Sequence, residues 1–237
     1  MLTNPTRSND QFDGIEAFVT ELQRDTWRRA KRLGERLEDP LTLLNPRNAL
    51  EQRGFQVCTV DTLGTMQHYG RVVEVAGELN RHSSVVAVSR KFERPVQLFT
   101  LAHELGHVVL KHQSDGGILH RDRPLSGPSE QRTPMEREAD WFGACWLMPA
   151  KHVIDQFHKR FRADPFVLTD ETSFHLYRTS YLAVRRRLRS DRDLSLALVT
   201  AQDYGGRPIE PMYKYFGVSP MAMAFRIEQL FLVDGIK

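Results

Sequence analysis

Residues 99–112 read FTLAHELGHVVLKH, and the rest of the chain is placed around them. His103 and His107 are four apart, so on a helix they stand one turn above each other and both imidazoles reach one metal ion. Glu104 sits one position on, to the side, where it can take a proton from water at that metal. The segment carries Leu98, Phe99, Leu101, Ala102, Leu105, Val108, Val109 and Leu110. A helix apolar nearly all round is a buried one, and Pro95 opens it at the position where proline is best tolerated. The spacing predicts a helix running to about Lys111. Two histidines and a glutamate cannot be buried cheaply without partners. Gly106 costs about 1 kcal/mol in a helix interior, which points to close approach by another backbone or a ligand. The bare HExxH string arises by chance in roughly one chain in 50 of this composition; the buried context is what favours a metal site over ordinary helix histidines. Zinc suits these ligands, and a catalytic zinc needs a third protein ligand and an open position.

A second apolar helix is expected from Pro134 to Met148, stopped by Pro149, and includes EREADWFGACWLMP (136–149). Glu136 and Asp140 share one of its faces. Glu136 is the candidate third ligand, and Asp140 the acceptor that would orient a ligand histidine. Thr133 and Glu136 also form a T-x-x-E capping box, so Glu136 could instead cap its helix. Glu138 lies about 200° around from Glu136 and reads as an auxiliary or exposed charge.

Working outward, residues 14–38 and 46–53 read as helices, the second stopped by Gly54. FQVCTV (55–60), RVVEVAGEL (71–79) and SVVAVSRKF (84–92) read as strands, the last through its dense β-branched residues. Residues 113–134 contain Gly116, Gly117, Pro124, Gly127, Pro128 and Pro134, and read as a long, mobile loop. The remainder is mostly helical, with an arginine-rich stretch (178–192), a turn at Tyr204-Gly205-Gly206 and a last helix opened by Ser219-Pro220. The organisation expected is an N-terminal helical region (1–50), a catalytic domain (51–160) and a C-terminal helical region (161–237).

The 237 residues, 41% hydrophobic and 27% charged with net charge +3, exclude a wholly disordered chain. No apolar stretch is long enough for a membrane span, and the first residues lack the apolar core of a signal peptide. Cys58 and Cys145 cannot make a disulfide framework, so a reducing, cytoplasmic setting is expected. Residues 1–54 balance nine Lys/Arg against nine Asp/Glu. Direct nucleic-acid binding is therefore not expected. The C-terminal FGVSPMAMAFRIEQL resembles half of a helix-turn-helix, but it offers only Arg226 and Gln229 for base reading and is better read as a packing element. For Arg185, Arg186, Arg187 and Arg189, a solvated face or ion-pair network is preferred to a phosphate-binding one.

FTLAHELGHVVLKH and EREADWFGACWLMP together resemble the ImmA/IrrE family of bacterial metallo-endopeptidases. The similarity runs from about residue 75 to 150 and returns weakly in YFGVSPMAMAFRIEQLFLV (215–233). It implies an α+β, gluzincin-like zincin core: a small sheet, the HExxH helix and a second ligand-bearing helix, with helical additions at both ends. In that resemblance His103, His107 and Glu136 match the zinc ligands and Glu104 the catalytic base. It further implies a protein substrate, a helix-turn-helix repressor often encoded nearby, whose cleavage releases stress or mobile-element genes. Strand 84–92, just before the zinc helix, is then expected to take substrate as an added strand. Loop 113–134 and segment 160–205 depart from the family pattern. Two other readings stand beside this one: a non-catalytic, metal-stabilised regulator binding DNA or protein, and a toxin or effector protease with another target. Glu104 favours an enzyme, since a structural site has no use for it. His112, His120, His175, Tyr177, Arg178 and Tyr181 are all candidates for oxyanion stabilisation, with His112 placed at its helix C-terminus. Oligomeric state is not legible.

Overall fold

The computed structural model describes residues 5–34, 40–68, 70–112, 120–122 and 132–234. The chain divides into two compact units, Met1–Leu147 and Met148–Lys237.

The first unit opens with α1 (Pro5–Arg32), a 3-10 turn (Pro40–Leu44) and α2 (Pro46–Glu51). Asn45 caps α2 by accepting from the Arg47 amide, and Gly54 takes a positive φ of 83° just beyond it. Strands β1 (Gln56–Val60), β2 (Thr65–His68), β3 (Arg71–Glu74), β4 (Gly77–Asn80) and β5 (Val85–Ser89) follow. The run 71–79 is thus two strands, β3 and β4, broken at Val75-Ala76. β2 and β3 form a separate antiparallel hairpin. Next come α3 (Arg94–Val109), β6 (His120–Asp122) and α4 (Pro134–Leu147). The rest of the expected loop, 113–119 and 123–131, lies outside the described residues.

The main sheet has the order β1-β5-β4-β6. β5 pairs in parallel with β1 and antiparallel with β4, so both its edges are taken. This overturns the expectation that strand 84–92 receives substrate as an added strand. Dense valines mark a central strand, closed on both sides, rather than an edge. β6 lies antiparallel to β4 with Gly77 opposite Asp122.

α1 packs on α4. Ile15, Val19 and Ala30 are buried, Phe12 stacks on Trp141 with ring centroids 4.7 Å apart, and Gln23 Nε2 donates to the Cys145 and Trp146 carbonyls at 2.9 and 3.2 Å. Those carbonyls belong to the last turn of α4, where a helix lacks partners of its own. Trp146 is fully buried and donates its indole N–H to the Leu44 carbonyl at 2.8 Å.

The second unit contains α5 (Ala150–Phe161), α6 (Asp170–Tyr177), α7 (Tyr181–Arg187), α8 (Asp191–Thr200), the small hairpin β7 (Asp203–Tyr204) and β8 (Arg207–Pro208), α9 (Met212–Tyr215) and α10 (Pro220–Gln229). Val153, Phe157, Phe166, Leu194, Leu198, Met223 and Ile227 form its core. The arginine-rich stretch is partly tied down. Arg178 pairs with Asp203 at 2.7 Å, Arg192 holds both oxygens of Glu228 at 2.7 and 2.6 Å, and Arg187 lies over the Tyr177 ring. Arg226 of α10 is buried, its Nε donating to the Met148 carbonyl at 3.0 Å. That placement withdraws it from base reading. Among the described residues, no helix is long and apolar enough to cross a membrane.

Candidate metal centre

α3 and α4 cross at two glycines. A Cβ on Gly106 would lie 3.1 Å from Phe142 Cβ and 3.2 Å from both the Cα and the carbonyl oxygen of Ala139; one on Gly143 would lie 3.3 Å from the His103 amide nitrogen. Each helix therefore presses its backbone into a notch in the other. The close approach that Gly106 signals in the sequence is to the Ala139 backbone.

This crossing brings Glu136, in the first turn of α4, to both histidines of α3. His103 Nε2 is 3.2 Å from Glu136 Oε2, and His107 Nε2 is 3.4 Å from Oε1. The two Nε2 atoms are 2.9 Å apart. The histidines are buried and Glu136 is about one-quarter exposed, so the cluster opens on the Glu136 side. The Thr133 hydroxyl accepts from the Glu136 amide at 3.3 Å. The Thr133 hydroxyl meets the Glu136 amide and the histidines meet its carboxylate, so these two contacts use different groups.

The donor chemistry of this cluster fits a cation. His103 Nδ1 is 2.9 Å from Asp140 Oδ1, and Asp140 is itself held by Arg132 Nη1, 2.9 Å from each of its oxygens. A carboxylate only accepts, so Nδ1 carries the proton and Nε2 presents a lone pair. His107 is backed in the same sense. Its Nδ1 is 2.9 Å from His112 Nδ1, and His112 Nε2 is 2.9 Å from Glu138 Oε2. Two lone pairs and a carboxylate thus converge within 4.8 Å of one another, and His103, His107 and Glu136 could together hold a metal ion.

Glu104 is completely buried on α3, beside β4. A Cβ on Gly77 would stand 3.2 Å from its Oε1 and would collide with Thr100 Cγ2. Glycine at the start of β4 is what lets the strand pass Thr100 and, beside it, this carboxylate.

Two residues at the site carry more than the sequence suggested. His112 is buried against His107, not merely placed at a helix C-terminus, and Glu138 faces His112, the auxiliary rather than the exposed of the two placements expected for it. His175, Tyr177, Arg178 and Tyr181 belong to the second unit, where His175 packs on Tyr204. The His120 side chain lies outside the described residues.

No curated protein matches the chain. The model of the IrrE N-terminal-like domain of the M78 peptidases matches residues 61–189. That span is more than half the sequence and takes in α3, α4 and every residue of the cluster. By it the chain belongs to the peptidase M78 family, with the peptidase-type function that membership carries.

Proposed function

We propose that the chain is a zinc-dependent endopeptidase acting in the cytoplasm on a specific protein partner, a helix-turn-helix repressor. The observation that carries this reading is the convergence of His103, His107 and Glu136 in a peptidase-family chain whose HExxH glutamate is buried one position along the same helix. His103, His107 and Glu136 would hold the zinc. When bound, zinc supplies a Lewis acid that acidifies water and polarises the scissile carbonyl. Asp140 and Arg132 hold the His103 ring. Glu104 takes the proton from the attacking water and later delivers it to the leaving amine. Burial on α3 keeps that carboxylate out of bulk solvent and in one place.

Glu104→Gln removes the base and no ligand. Its zinc content should stay near one per chain while hydrolysis falls by at least about 10²-fold. His103→Ala should lose the metal itself. Metal analysis beside a cleavage assay, with the adjacent gene's product as substrate, decides this. A Glu104→Gln chain that cuts as fast as wild type would sink the mechanism. A wild-type chain that binds zinc and leaves that product intact would sink the repressor assignment and leave the zinc site standing.

A further inference from the structure

We propose that His112 and Glu138 are positioning residues, which together fix the ring orientation and tautomer of His107 and so set the affinity of the metal centre. The inference rests on the metal-centre reading and extends it to two residues outside the ligand set.

The argument starts from a chain of three contacts. Glu138 Oε2 lies 2.9 Å from His112 Nε2, His112 Nδ1 lies 2.9 Å from His107 Nδ1, and His107 Nε2 faces His103 Nε2 and Glu136. His112 and His107 are both buried, with ring centroids 5.0 Å apart and planes at 73°. Each imidazole, when neutral, carries one N–H and one lone pair. The carboxylate at the far end only accepts, so His112 donates from Nε2 and is left with a lone pair on Nδ1. That lone pair accepts from His107 Nδ1, and His107 is left with its lone pair on Nε2, toward the metal. Reversing either ring would place a proton where the metal must bind. The sign of the whole chain is therefore set by Glu138.

The backbone holds His112 in place. Lys111 adopts φ 57°, the His112 amide donates to the His107 carbonyl at 3.1 Å, and the Lys111 amide donates to Val108 at 3.4 Å. These two bonds are the six-to-one and five-to-two pair of a Schellman helix end, in which the residue after the left-handed one packs on the turn it closes. Arg81 Nη2 donates to the same His107 carbonyl at 2.6 Å. The two ligand histidines are thus braced differently, His103 by a carboxylate directly and His107 by a carboxylate acting through a second imidazole.

The test measures zinc affinity of the full chain by competition with a chromophoric chelator, with the visible spectrum of the cobalt form as a second readout. Outer hydrogen-bond partners of metal ligands are worth about 10–100-fold in affinity. His112→Ala should weaken zinc binding by about that factor and shift the cobalt spectrum. Glu138→Ala should weaken it by about tenfold in the wild-type background. In a His112→Ala background it should cost nothing more, because the two act in series. His112→Asn, whose amide oxygen can accept from His107 Nδ1, should restore most of the affinity and abolish the dependence on Glu138. Circular dichroism checks that each variant folds, and the Asn variant keeps the test decisive should the Ala variant not. His112→Ala binding zinc as tightly as wild type would overturn the relay, and so would a His112→Asn variant that still loses affinity when Glu138 is removed. So would an equal Glu138→Ala loss in both backgrounds, which is a simple charge effect. A wild-type chain that takes up no zinc overturns the metal-centre reading itself.

Discussion

On an uninterrupted helix, a histidine five positions past another stands about 140° around the axis from it. His112 reaches His107 only because Lys111 takes the left-handed conformation and folds the chain back. That conformation costs a residue with a Cβ about 1–2 kcal/mol, so Lys111→Gly should raise stability by about 1 kcal/mol and leave zinc affinity unchanged. Chemical denaturation beside a zinc titration checks it; a drop in stability would mean that the lysine side chain makes a contact worth more than the strain. The same residue explains why His112 is opaque in the sequence. A glycine at 111 would announce a helix end of this kind, whereas a lysine reads as helix. The meeting of His103 with His107 and the burial of Glu104 are legible because they depend on spacing and apolar neighbours within one helix. Glu136 was half legible: Thr133-x-x-Glu136 alone reads as a cap, and only the upstream HExxH favours a ligand, whereas the structure gives the amide to Thr133 and brings the carboxylate to the histidines.

The two elements that carry the cluster, α3 and α4, are held at their separation by Gly106 against Ala139 and Gly143 against the Ala102–His103 backbone. Gly106→Ala would push a methyl into backbone that cannot move aside. Overpacking of this kind costs about 1–3 kcal/mol. The same variant should weaken zinc binding, because Glu136 is carried away from both imidazoles. A melting curve and a zinc titration test both halves, and normal affinity in a destabilised variant would show that the site tolerates helix movement. Helix starts and stops were plain from Pro95, Pro134, Pro149 and Ser219-Pro220. The pairing of β5 was not. Alternation and β-branching identify a strand but not its neighbours, and the parallel partner β1 lies far back in the chain. In the second unit, α8 offers a test by pH. Amides of Arg189 and Ser190 and the Ser190 hydroxyl hold the Asp193 carboxyl below its ordinary value of 3.8, the Arg189 amide most strongly. A carboxyl so lowered stabilises the fold in full above its unfolded pKa and loses that contribution as pH falls through the folded value. Asp193→Ala should therefore be less stable than wild type at neutral pH, and the gap should close in acid. A gap that persists at the acid end of a pH series of denaturation midpoints would rule out the carboxylate as its cause.

Taken whole, the molecule has His103, His107 and Glu136, the residues that could hold a metal, entirely within Met1–Leu147. Anything that binds only the folded form stabilises it by mass action, about 4 kcal/mol at a ligand concentration 1,000 times Kd. Chelation should then raise hydrogen exchange across α3, α4 and β4 and leave α8 and α10 as they were. Equal loosening of both units would show that they unfold together. The packing of α1 on α4 has a consequence for biosynthesis. The first of these helices ends at Arg32 and the second only at Leu147. At about 5–20 residues per second, that interval lasts on the order of 10 s, during which the face of α1 that carries Ile15 and Val19 emerges with no α4 yet made to cover it. Until α4 leaves the ribosome, the nascent chain presents an unshielded apolar helix face to whatever chaperones attend it.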